Sequence, residues 1–273
     1  MKQTFQNEID AISFSYDDTQ FQSMGDGRLK YIGMETDGSN IQVPDGVVDG
    51  SEMFEQTSLT SGAKLPESLR IMNNMYRGCM DLKDPGVIPD GVTSIDGAYA
   101  YTGIKEAPQL PDTITHANFA FDHCNDLERC GNFPENLKEA DCMFSGDTAL
   151  QELPPELPDT VTDMDGFACG CSNLKQAPKT GANVKNMSHA YASATSLENM
   201  PEIPDGAYAK NVVSDCYTLE QKGLSDSSLS AAFEKANTFE EKPEKPMNRE
   251  AALTEMTSHI ASKENSMSAE FSE

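Results

Sequence analysis

Residues 89–110 read PDGVTSIDGAYAYTGIKEAPQL, and residue 111 opens the same pattern again with Pro-Asp. The order is a proline, an acid, spaced apolar residues, an aromatic, a closing aliphatic and an extended run to the next proline. Working outward, the marker prolines are Pro44, Pro66, Pro89, Pro111, Pro134, Pro158 and Pro204, with Gly181 standing in for one more. The steps between them are 22, 23, 22, 23, 24, 23 and 23 residues. A fixed period of this size specifies stacked units, because one unit alone cannot bury its apolar side. The expected fold class is an α/β repeat solenoid: a leucine-rich-repeat-like, right-handed stack of seven or eight coils of about 23 residues, with short extended segments and helical turns.

Counting from the marker, three residues on stand Val47, Leu69, Val92, Ile114, Leu137, Val161 and Val184. Six on stand Met72, Ile95, Ala117, Ala140, Met164 and Met187. Nine and ten on come pairs such as Met53-Phe54, Met75-Tyr76, Ala98-Tyr99, Ala120-Phe121, Met143-Phe144 and Ala190-Tyr191. Thirteen on are Cys79, Thr102, Cys124, Asp147 and Cys171, and then a leucine or isoleucine closes the unit. Apolar spacings of three and four predict a short helix or tight helical turns with one buried face. The aromatics share one phase, so a continuous ring ladder is expected. The Leu-to-Pro segments carry prolines that exclude helix, and the extra Pro85, Pro108, Pro154, Pro178 and Pro201 predict a short or interrupted β-ladder there.

The order Pro-x-x-Val-x-x-Ile/Met-x-x-Ala/Met-Phe/Tyr-x-x-Cys-x-x-Leu resembles the BspA-type leucine-rich repeat of bacterial proteins. The stretch Asn-Met-Tyr-Arg-Gly-Cys-Met-Asp-Leu at 74–82 is also similar to bacterial surface repeats rich in Asn-Met-x-x-Met-Phe. The resemblance spans roughly residues 43–221. It implies protein–protein or adhesive binding, often at a cell surface. The extra prolines depart from the strand pattern of that family.

Residues 1–43 are expected to cap the stack, with candidate strands at 29–35 and 39–43; residues 44–221 form the solenoid; residues 222–273 form an acidic helical or disordered tail. In the tail, Leu229, Phe233 and Ala236 share one helical face, and Leu253, Met256 and Ile260 another that Asn248 could cap; 262–273 reads as disordered. The net charge of −25 repels phosphate backbones, so nucleic acid and anionic membrane are poor partners; it reads first as solubility and protection against end-to-end association of the repeats, with attraction of basic partners as the functional alternative. No run of 18 apolar residues predicts membrane insertion. Seven cysteines are an odd number and read as buried free thiols. Together with no recognisable signal peptide, they point to the cytoplasm, while the resemblance leaves a secreted or surface site open.

Chemistry-bearing motifs are few. Cys169-Gly-Cys171 offers two sulfurs where a structural zinc needs four ligands, and Cys171 belongs to the repeat. His116 and His123 have no third group to orient them, and the Asp-Gly pairs read as turns rather than calcium loops. No cofactor is expected. The reading is therefore a non-enzymatic repeat protein with a protein partner; the alternative is a secreted or surface adhesin or effector. The variable positions of the Leu-to-Pro side are the candidate partner-binding residues: Lys83, Lys105, Glu106, Gln109, Glu128, Arg129, Lys175, Gln176, Lys179, Glu198 and Glu202.

Overall fold

The computed structural model describes residues 2–6 and 13–224. They belong to one compact unit spanning residues 1–237. The tail helices expected around 229–236 and 248–260, and the disordered end at 262–273, lie outside the described residues.

The backbone amides of each unit follow one rule. In the unit starting at Pro89, Ile95, Gly97, Tyr99 and Tyr101 donate to carbonyls of the following unit, at His116, Asn118, Ala120 and Asp122. The residues between them, Ala98, Ala100 and Thr102, donate backward to the carbonyls of Ile95, Gly97 and Tyr99. A helix would need all these amides for itself. Half of them are used between units instead, so of the two expected forms, short helix or tight helical turns, the chain takes the turns. Among the described residues the only helices are a 3-10 turn at Gly38–Asn40 and α1, Tyr217–Gln221.

Two positions per unit bend the chain left-handed, eight and twelve residues after the marker: Asn74 and Gly78, Gly97 and Tyr101, Phe119 and His123, Gly166 and Gly170, His189 and Ser193. A non-glycine residue there is strained by about 1–2 kcal/mol. The hydrogen bonds that each such residue makes to the next unit offset that strain. Just before the turns, one parallel ladder runs unbroken through Asp49, Ile71, Ser94, His116, Glu139, Asp163, Asn186 and Tyr208.

One amide in each turn is served by a side chain. The carboxamide or carboxylate oxygens of Asn73, Asp96, Asn118 and Asp141 accept the amides of Asp96, Asn118, Asp141 and Asp165 at 2.8–3.2 Å. Short Asn and Asp side chains suit this, because one unit step separates oxygen from amide.

The apolar columns form one continuous core. Phe54, Tyr76, Tyr99, Phe121 and Phe144 stack with centroids 5.3–5.7 Å apart. The expected continuous ladder stops there: Phe167 meets Phe144 edge-on, at 89°. In that unit the order is Phe167-Ala168 instead of Ala-Phe, so the ring enters one position early. Phe133 fills beside the break, 6.0 Å from Phe167.

At the N-terminal side, β1 (Lys2–Gln6) pairs antiparallel with β2 (Ser13–Asp17), and β3 (Phe21–Ser23) with β4 (Leu29–Tyr31). Phe21 and Tyr31 pack on Phe54, and the Tyr31 amide donates to Met53. The strand expected at 39–43 is not formed. Asp37 accepts the Ser39 amide and hydroxyl, which winds Gly38–Asn40 into a turn, and only Gln42 bridges onward, to Lys64.

Candidate interaction surface

After each closing Leu or Ile the chain runs extended toward the next marker. Parallel bridges join some neighbours on this side, Ser61 to Asp84, Glu106 to Arg129 to Glu152, and Glu156 to Lys179. Between these the ladder is broken, as the extra prolines lead one to expect. A proline has no amide to give, so the segment presents side chains and unpaired backbone rather than a smooth sheet.

Of the eleven candidate residues, ten are exposed and Glu128 is half-buried. The stack brings several together across neighbouring units. Lys105 lies 3.7 Å from Glu128, and Arg129 hydrogen-bonds Glu106. Lys83 reaches Asp126 at 3.2 Å, and Lys179 lies 3.9 Å from Glu156. Such exposed pairs contribute little stability, up to about 1 kcal/mol each. Gln109, Lys175, Gln176, Glu198 and Glu202 make no side-chain hydrogen bond or ion pair among the described residues and stand apart.

Two clefts open on this side, and neither was foreseen. One, of about 520 Å³, lies between residues 131–135, 154–159 and 179–181. The other, of about 330 Å³, lies between residues 86–90 and 109–112, beside Val87, which is 81% exposed. Their rims carry Asp90, Asp112, Glu135 and Asp159, the acids that follow the marker prolines, all exposed. The signal was in the sequence: an acid at a fixed phase of a stacked repeat becomes a stripe.

Elsewhere the reactive residue types are engaged in packing. Cys79, Cys124, Cys171 and Cys216 each donate to a carbonyl of the preceding unit at 2.9–3.1 Å. All seven cysteines are free; six are buried as expected, but Cys169 is half-buried. It sits among the turns, just after the buried run 166–168. His123 stacks on Tyr101 at 5.0 Å and lies 2.9 Å from Asp122, and His116 Nδ1 bonds the Thr115 hydroxyl.

Hydrogen bonds lower the pKa of the exposed Asp26 and Asp37, whereas burial raises that of Asp96, Asp141, Asp147 and Asp165. Asp147 is fully buried in the cysteine column, and neither side-chain oxygen has a hydrogen-bond partner. Burial pushes its pKa well above the usual carboxylate value; the Cys124 backbone offsets part of this without forming a well-made bond, and the Asp122 charge adds to the rise. Asp141 is raised to about 8, first by burial and then by its hydrogen bond and charge contact with Asp163.

No family model and no curated protein sequence matches the chain. Among solved structures it is similar to a leucine-rich repeat protein of T. pallidum, with a TM-score of 0.50 and 20% identity over 81% of this chain and 95% of that one. The chain has a leucine-rich-repeat fold. A leucine-rich repeat protein from Bacteroides ovatus is also similar, at 17% identity and a TM-score of 0.38 over 74% of this chain and 68% of that one. Both are bacterial leucine-rich repeat proteins. Within this leucine-rich-repeat fold, no described helix is long and apolar enough to cross a membrane.

Proposed function

We propose that this is a non-enzymatic, right-handed leucine-rich-repeat solenoid that binds another protein through its Leu-to-Pro side. One observation carries the reading: this side joins exposed, changing side chains to the two clefts, whereas the turn side repeats the same hydrogen-bond pattern unit after unit. Varied polar groups on a rigid repeated frame make a specific surface without altering the fold. Lys105 and Lys175 are exposed and contribute nothing to the core, so reversing both to Glu leaves stability within about 0.5 kcal/mol.

The test is affinity capture with the intact chain, followed by calorimetric titration of the captured partner against wild type and Lys105→Glu/Lys175→Glu. Weaker binding by the double variant supports the reading. Equal affinity moves the binding surface to the turn side or the ends.

A further inference from the structure

Three features mark the larger cleft. Part of its backbone is unpaired: among the described residues, the amides of Asn132, Phe133, Leu153 and Glu156 make no hydrogen bond, because the ladder skips from Arg129–Glu152 to Glu156–Lys179. Its floor holds Thr180, 6% exposed, whose hydroxyl oxygen has no hydrogen-bond partner. A buried hydroxyl left in this state is destabilising by about 1–3 kcal/mol. Its rim carries Glu135, Glu156 and Asp159 against the single cation Lys179, which already lies 3.9 Å from Glu156.

We infer that this cleft holds an extended, basic polypeptide segment of the partner. The inference rests on the proposed protein-binding reading and narrows it to one place and one chemistry. The free amides donate to carbonyls of the incoming chain, as an added strand would require. The rim carboxylates pair with its Lys or Arg side chains, and Phe133 and Pro154 supply apolar contact. The opening is set by Gly131, where an added Cβ would meet nothing within 4 Å. Gly181 closes the other side: an added Cβ there would sit 2.6 Å from the Pro158 carbonyl oxygen. That close approach of the two units gives a reason for glycine where other units have proline.

The probe is a fluorescein-labelled decapeptide of alternating Lys and Pro, titrated with the full chain and read by anisotropy at 50 mM salt; the matching Glu-Pro decapeptide is the charge control. Wild type should bind the basic peptide and not the acidic one. Gly131→Leu adds bulk at the opening, where its Cβ meets nothing within 4 Å, and should weaken binding at least tenfold. Glu135→Gln/Glu156→Gln should do the same, while Glu52→Gln/Glu220→Gln, which removes as much charge far from the cleft, should change it less than threefold. Thr180→Val removes the unpaired buried hydroxyl and should raise the melting temperature of the free chain. Equal losses in the two carboxylate pairs would show diffuse attraction to an acidic protein and overturn the inference. Absence of binding by wild type would overturn it too. Neither result touches the binding reading itself, which stands or falls on the native partner and the lysine reversals.

Discussion

Asp147 occupies a position where neighbouring units use a different device. Thr57 and Thr102, in the same column, donate their hydroxyls to the Phe54 and Tyr99 carbonyls at 2.8 Å. Each also meets the sulfur of the next unit, Cys79 or Cys124, at 3.3 Å. At Asp147 the equivalent carbonyl, Phe144, receives the Asp147 amide at 3.2 Å and the Cys171 thiol at 2.9 Å but no side-chain hydroxyl, and both carboxyl oxygens are buried without a partner. Asp147→Thr should rebuild the motif. It removes the unsatisfied buried group, worth about 1–3 kcal/mol, and adds one hydrogen bond of about 1 kcal/mol. With roughly 2–4 °C per kcal/mol for a unit of this size, the melting temperature at pH 7 should rise by several degrees.

The pH profile is a second readout of the same substitution. Because its pKa is raised in the fold, folded Asp147 keeps a proton that the unfolded chain releases above about pH 4. The contribution of Asp147 to stability is therefore most favourable below that pH and falls as pH rises toward the folded pKa, by up to about 1.4 kcal/mol per unit. Asp141, raised to about 8, adds a slope of the same sign to wild type and variant alike, so their difference isolates Asp147. Asp147→Asn should lose the slope and keep the unpaired polar group, falling between the two in stability at pH 7. Urea melts from pH 4 to 8 measure all three chains. An Asp147→Thr chain that melts no higher than wild type, with an unchanged slope, would refute the argument.

Tyr76 and Tyr191 provide a matched comparison in the ring column. The Tyr76 hydroxyl oxygen accepts the Ala63 amide at 3.0 Å, whereas the Tyr191 hydroxyl is buried without a partner. Tyr76→Phe should destabilise the chain by about 1–3 kcal/mol and Tyr191→Phe should be neutral or stabilising, as denaturant melts would show. Native alkylation followed by peptide mapping should label Cys169 first, since burial raises the Cys124, Cys130 and Cys171 thiols and leaves little thiolate. Labelling in denaturant should reach all seven cysteines. Gly62→Ala should be more damaging than Gly170→Ala, because the added Cβ would sit 2.6 Å from the Pro85 carbonyl oxygen in the first and no closer than 3.6 Å to its neighbours in the second.

The repeat was legible because its core residues recur at fixed phase: the valines and leucines three after the marker and the rings ten after it are buried where the period puts them. The turn region was legible only as far as a choice between a short helix and tight helical turns, because apolar spacing alone does not say where amides go. Residues 95–102 carry helix-like spacing, yet half their amides serve the next unit. A clue was available in the glycines and asparagines four apart at constant phase, Asn74 and Gly78 or Gly166 and Gly170, which suit left-handed backbone. The broken ladder followed from the prolines. The larger cleft did not, since it depends on how Phe133 and Gly181 fit between units, and those two residues break the repeat.

The central claim is that partners meet the Leu-to-Pro side, and hydrogen exchange on the partner complex tests it most directly. Amides at 104–110, 128–133, 151–157 and 175–180 sit on that side, where the ladder is broken and several lack a partner. Adding the captured partner should slow their exchange, most strongly at Asn132, Phe133 and Glu156, and leave the turn-side peptides at 94–102 and 116–124 unchanged. Slowing confined to those turn-side peptides, with the Leu-to-Pro peptides unaltered, would contradict the account.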